Sequence, residues 1–262
     1  MEGKKNLTEQ VTNAVSDITK PIYDDLAHPA AEESGKFLGR IPRLLNALCI
    51  NFDIWATRKE HNLKMVEREL DYLLHEAPVE KIVGPDPYIA VPVLQALSYS
   101  YDDNELRSMY SHLLSKAMHA DYKFDVHPSF VEIIKQLSPV DCLVFKEIMS
   151  IHENPIIHAI LYNSDNYEDG TDCEIIHTNI NALSSCEYDQ SKISIDNLIR
   201  LNLINVPSDY SYTEKEIYLS VTNSAFCKEL ESKYGRRLTY SYRCVIKTNF
   251  SELFYRICVM GI

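Results

Sequence analysis

The stretch Val126-His127-Pro128-Ser129-Phe130-Val131-Glu132-Ile133-Ile134-Lys135-Gln136-Leu137-Ser138-Pro139 constrains the fold more than any other part of this chain. Phe130, Ile133, Ile134 and Leu137 recur at the spacing of one helix face. Ser129 and Glu132 fit a capping box, and Ser138 before Pro139 ends one helix and starts the next, because proline suits the first helical turn. A chain with such a break is built by packing short helices against one another.

The residues around it repeat that pattern. Leu38, Ile41, Leu45, Leu48, Phe52 and Trp55 form a heptad-like seam. Residues 57 to 76 place Leu63, Val66, Leu70, Leu73 and Leu74 on one face and close before Pro78. A third helix is expected from Pro87, with Pro92 kinking it or shifting its start. After the cap region Asp102-Asp103-Asn104, the residues Leu106, Met109, Tyr110, Leu113, Leu114 and Ala117 make an amphipathic stripe. Only seven glycines occur in 262 residues, which argues against glycine-rich phosphate loops and turn-rich sheets.

Beyond Ser138 the texture changes. A helix carrying Val140, Leu143, Val144 and Ile148 gives way to an acidic, turn-rich insert near 163–172. A second helix follows with Ile193, Ile195, Leu198, Ile199 and Leu201. Residues 203–206 and 217–221 read as two short strands around a polar turn, and helix, helix, strand, turn, strand is the order of a winged helix-turn-helix. Leu219-Ser220-Val221-Thr222-Asn223 and Val245-Ile246-Lys247-Thr248-Asn249 each read as a strand ending in a threonine cap, with Leu238 to Lys247 alternating as a half-buried strand. The expected fold is mainly α: a polar arm over 1–20, an N-terminal helical bundle over 21–137, and a winged-helix-like α+β region over 138–262.

With those elements placed, the chain resembles the Abi-alpha (abortive infection alpha) family of bacterial proteins. The resemblance is carried by Pro21 to Leu26, Pro29 to Lys36, Pro85 to Leu97, Leu106 to Ala117, His127 to Pro139 and Phe250 to Val259. It is weakest over 150–215. The resemblance implies a mostly helical protein linked to phage defence, and it carries no active-site residue over to any position here.

Chemical signals are sparse. His112 and His119 stand seven apart, not at the i, i+4 spacing of a helical metal pair. Asp165, Asp169 and Gly170 hint at a calcium loop, but Tyr167 and Ile176 occupy ligand places. His127 reads as a loop-closing residue, and Glu67 with Glu69, or Asp102 with Asp103, as solvated faces or caps. Seven scattered cysteines without a Cys-x-x-Cys pair read as reduced thiols, and the polar start predicts no secretory signal, so a cytoplasmic protein is expected. No catalytic residue, cofactor or metal is assigned.

Charge offers one further handle. Residues 233–256 carry a local excess of five positive charges, leaving −17 on the rest of a chain whose total is −12. Such an acidic body repels polyanions unless the basic segment is presented alone. Lys233, Arg236, Arg237, Arg243 and Lys247, interleaved with Tyr234, Tyr240 and Tyr242, are therefore the candidate nucleic-acid contacts; edge protection of a strand is the plainer reading of the same residues.

The expected function is a non-enzymatic anti-phage protein acting through contacts with a protein partner or phage component, with a homo-oligomer left open. One alternative is a nucleic-acid-binding regulator that uses the basic segment. Another is a membrane-disrupting effector inserting the 38–55 seam, disfavoured because Arg40, Arg43 and Asp53 interrupt it and a buried bundle helix needs the same apolar pattern.

Overall fold

The computed structural model describes residues 59–100, 102–163 and 173–261, and these fall into two compact units. The first runs to Gln136 and takes in Arg256 onward; the second spans Leu137–Tyr255. The expected arm over 1–20, the 38–55 seam and most of the acidic insert lie outside the described residues. Helix is the prevailing element in what is described.

In the first unit, helix α1 (Lys59–Leu74) buries Val66, Leu70 and Leu74, one residue per turn. Helix α2 (Pro87–Ser100) begins at its proline and keeps Pro92 inside, so the start does not shift. Pro92 has no N–H to give the carbonyl one turn back. Burial of Ile89, Ala90, Val93, Leu94 and Leu97 holds the helix regardless. Helix α3 (Asn104–Ala117) is capped by Asp103, whose carboxylate accepts the Leu106 N–H. It packs against α1, α2 and α4 (Ser129–Lys135). Glu69 ties α1 to α3, accepting from Arg107 at 2.7 Å and from the Ser111 hydroxyl.

The expected capping box at Ser129 and Glu132 is not formed. Pro128 stands at the N-cap, and the ring Nδ1 of His127 accepts the Ser129 N–H at 3.1 Å. Glu132 pairs instead with Lys135, three residues on. Histidine does the work expected of serine because Ser129 is already the first helical residue.

The break at Ser138-Pro139 opens the second unit with the box intact. Helix α5 (Pro139–Ser150) is capped by Ser138, whose Oγ accepts the Asp141 N–H, while Asp141 Oδ2 accepts the Ser138 N–H at 2.7 Å. The same oxygen accepts from Asn197 of helix α6 (Tyr188–Arg200) at 2.9 Å, fixing α5 against α6. Asn154 and Lys247 close the other end of α5. The Asn154 amide donates to the carbonyls of Ile148 and Ile151, and the Lys247 ammonium donates to those of Met149 and Ile151.

Between α5 and α6 stand two strands that the sequence pattern did not announce, β1 (Pro155–Tyr162) and β2 (Cys173–Ile180). With β4 (Leu238–Cys244) they form an antiparallel sheet in the order β2-β1-β4. A second, two-stranded sheet pairs β3 (Ile204–Asn205) with β5 (Ile246–Lys247). The expected partner of β3, residues 217–221, is helical: a 3-10 turn over Lys215–Tyr218 runs into α7 (Leu219–Thr222). Tyr218 and Val221 are buried three apart while Leu219 between them is exposed, which is helix spacing and defeats alternation.

The threonine cap expected at Thr222 is absent too. Thr222 bonds back to the Tyr218 carbonyl, and Ser224 caps helix α8 (Ala225–Tyr234). Thr248 does cap helix α9 (Asn249–Cys258), exchanging hydrogen bonds with Ser251 at 3.0 Å each way.

One face of the three-stranded sheet builds a core. Ile157 and Ala159 sit opposite Tyr242 and Tyr240, and Ile180, Tyr218, Val221, Cys227 and Leu230 close over them. The Tyr218 ring meets Tyr242 edge-on at 4.8 Å. Its hydroxyl accepts the Tyr212 N–H, and the Tyr212 hydroxyl accepts the Asn154 N–H, so two phenols satisfy a loop that has no ladder of its own.

Candidate functional site

The five basic residues singled out by charge are divided by the fold. Lys233 lies in the last turn of α8 with its ammonium 4.9 Å from the Tyr234 ring centroid. Arg236 and Arg237 form the short turn that follows. Lys247 is committed to the end of α5, and Arg243 lies within β4 with its Nε buried. Lys233, Arg236 and Arg237 thus stand together in sequence at one end of β4, while Arg243 and Lys247 serve other surroundings.

The histidines divide likewise. His127 caps α4, and His112 Nδ1 lies 2.7 Å from the Ser108 carbonyl on its own helix. His119 is buried and accepts the Asp121 N–H; burial, with Lys116 and Lys81 adding to it against the opposing carboxylate of Asp121, pulls its pKa below the ordinary value. Among the described residues no group of three or more His, Cys, Asp or Glu is placed to hold a metal ion. No helix among them is long and apolar enough to cross a membrane.

Among the described residues of the first unit, Lys116 is a buried cation, only 1% exposed. Its ammonium donates to the Gly261 carbonyl at 2.7 Å and lies 3.8 Å from the Tyr122 ring centroid. Burial, then the nearby Arg256, lower its pKa. Arg256 itself pairs with Asp125 at 2.9 Å. These contacts hold residues 256–261 in the first unit.

An exposed aromatic patch stands where the sequence pattern picked out nothing. Phe124 sits in the 3-10 turn Lys123–Asp125 with 95% of its surface in water, although phenylalanine is among the residues most often buried. The turn is anchored beneath it. The Lys123 ammonium pairs with Asp86 at 2.9 Å and donates to the Gly84 carbonyl, and the Tyr88 hydroxyl reaches the other oxygen of Asp86. Tyr88 is itself 60% exposed. Two aromatic rings presented beside a pinned turn are the kind of rigid anchors that dominate protein interfaces. The available signal was the phenylalanine of Tyr122-Lys123-Phe124-Asp125 in the connection between two helices.

On the second unit, His158 of β1 is the polar residue in an otherwise apolar strand. Its Nε2 lies 3.2 Å from Asn179 Oδ1, and Asn179 Nδ2 donates to Asp196 at 2.7 Å. That second bond leaves Asn179 Oδ1 as the acceptor, so Nε2 of His158 carries the proton. Asn179 holds this bridge from the left-handed region, at φ 55°, where asparagine is tolerated better than most residues. Burial, then Arg243, keep the His158 pKa below its usual value.

Of the cysteines, Cys142, Cys227, Cys244 and Cys258 are buried and Cys173 is exposed. Burial drives the Cys258 thiol well above its ordinary range, which makes it a poor nucleophile.

Neither the curated proteins nor the solved structures contain a match to the chain. A sequence profile does match, over residues 58–258, a span that takes in every helix and strand described above. By that match the chain belongs to the abortive infection alpha family.

Proposed function

We propose that this protein is a non-enzymatic, cytoplasmic abortive-infection factor that arrests phage propagation by binding a protein partner. The family match over 58–258 carries the defence part of this reading. The nearly naked Phe124 ring, on a turn whose Lys123 pairs with Asp86, the acceptor of the exposed Tyr88 hydroxyl, supports contact as the means. A side chain of that size fully covered on binding contributes roughly 1.5–3 kcal/mol from burial alone. The order of α5, α6, β3 and β5, with α5 packed on α6 and β3 paired to β5, supports a winged-helix-like second unit elaborated by the β1-β2-β4 sheet.

Phage challenge of cells with and without the protein tests the reading. Cells expressing it should restrict phage, and Phe124→Ser should lose restriction while its melting temperature stays within about 2 °C of the parent, as expected for an exposed site. Full restriction by a stably expressed Phe124→Ser, Tyr88→Ser double variant would refute contact through this surface. A single polar substitution elsewhere that abolishes restriction without lowering the melting temperature would point to an enzyme.

A further inference from the structure

The sheet of the second unit has two faces, and the unbroken β1–β4 register assigns the residues of those two strands to one or the other. Ile157 and Ala159 face the core with Tyr242 and Tyr240. Their neighbours Ile156 and His158, paired with Arg243 and Ser241, therefore project from the opposite face. Further along that face Ile160 pairs with Ile175 and Thr239, both exposed. This outer face is open at that end.

Two polar groups there lack partners. Among the described residues, Arg243 Nε and His158 Nδ1 are both buried and unbonded, and the remainder of the Arg243 guanidinium makes no hydrogen bond or ion pair. A half-buried cation without a counter-charge is costly, and arginine in such a setting ordinarily has a carboxylate. The acid belonging to this cluster, Asp196, is turned to Asn179 instead. Arg243 and His158 lie diagonally across neighbouring strands, with Ser241 directly opposite His158.

We propose that this face binds a phosphate-type oxyanion, seated on the Arg243 guanidinium and completed by His158 and Ser241. A guanidinium offers two parallel N–H groups to two oxygens of one anion. A tetrahedral anion keeps further oxygens out of that plane, for the Ser241 hydroxyl and for Nδ1 of His158 once it carries a proton. Because Nε2 already donates through Asn179 toward Asp196, protonation at Nδ1 makes an imidazolium supported by that carboxylate on one side and by the anion on the other. Binding thus takes up one proton at His158. The charged groups facing that ring are Arg243 from β4 and Asp196 from α6, the first opposing and the second favouring the proton. Affinity therefore rises as pH falls, with Arg243 repulsion relieved when the anion arrives. The surplus of negative charge elsewhere disfavours a long polyanion and favours a compact one.

Titration calorimetry of the full chain tests this, using sulfate, inorganic phosphate, a nucleoside 5′-monophosphate and a short single-stranded oligonucleotide. Sulfate keeps its charge across the range, so its pH dependence reports the protein alone. Sulfate should bind roughly tenfold more tightly near pH 6 than near pH 8, with uptake of up to about one proton. Arg243→Gln should weaken binding at least about thirtyfold, His158→Gln should flatten the pH dependence, and Arg236→Gln should change neither. Arg243→Lys, which keeps the charge but not the paired N–H groups, serves if the Gln variant fails to fold, and should still bind at least about fivefold more weakly. A monophosphate that outbinds free phosphate identifies the ester as the source, and the reverse order identifies the free ion. Sulfate affinity that is unchanged in both Arg243 variants, or independent of pH, overturns the site. So does binding confined to the oligonucleotide and lost with Arg236→Gln.

Discussion

Asp141→Ala is the most informative single test of how the second unit is held. The carboxylate is 5% exposed and accepts two hydrogen bonds, from the Ser138 N–H at 2.7 Å and from Asn197 at 2.9 Å. Hydrogen bonds to an ionised group each contribute about 1.5–3 kcal/mol, and removing the acceptor takes one partner from the Asn197 amide and one from a helix-start N–H together. Relief from burying a charge offsets part of that loss. A net cost of about 2–4 kcal/mol follows, against about 1 kcal/mol for Ser138→Ala, which removes only the reciprocal half of the box. Urea denaturation followed by far-ultraviolet circular dichroism measures both, and the double variant gives their coupling. Because the two residues share one box, the double variant should cost less than the sum of the singles by at least about 0.5 kcal/mol. Asp141→Ala within about 0.5 kcal/mol of the parent, with an unchanged denaturant slope, would refute the account of the α5–α6 join.

Three further outcomes follow from the structure. Burial works against ionisation of Glu147, but the N–H groups of Ser184 and Ser185 and the Ser184 hydroxyl outweigh it and lower its pKa from 4.5; the stability this confers is complete above that value and declines as pH falls through the lowered one. Glu147→Gln should therefore show a shallower acid limb in thermal melts, and an identical limb would count against the loop clasp. Tyr218→Phe should cost about 1–2 kcal/mol in the same denaturation assay, because the Tyr212 N–H loses its acceptor. A thiol reagent should label Cys173 in the native protein, while Cys142, Cys227 and Cys258 react only after unfolding, a pattern read by mass spectrometry.

Helices were legible where burial runs along one stripe. The stripe from Met109 to Ala117 and the Ser138-Pro139 restart appear in the structure as read, since each rests on local rules that the rest of the chain does not override. Strand β1 was missed because Ile156, Ile157, Ala159, Ile160 and Leu161 form a nearly unbroken apolar run, and a central strand carries no alternation to betray it. Residues 217–221 misled in the opposite sense: Ile217, Leu219 and Val221 alternate by composition, yet the chain buries Tyr218 and Val221 because the sheet core needs the phenol. The His127 bond to the Ser129 N–H lay beyond pattern reading, since it comes from the residue before the N-cap and from a side chain not among the usual capping residues. The outer sheet face was half legible. Charge picked out Arg243, but its neighbours His158 and Asn179 come from strands that only tertiary pairing brings alongside.

The middle strand of the three-stranded sheet completes its pairing with a segment synthesised much later. At about 5–20 residues per second, the roughly 75 residues from Tyr162 to Leu238 leave β1 with one raw side for several seconds on the ribosome. During that interval an oily ribbon stands ready to join any similar ribbon on a neighbouring nascent chain. Yield on overexpression should accordingly depend on translation speed and temperature more than on the finished molecule's stability.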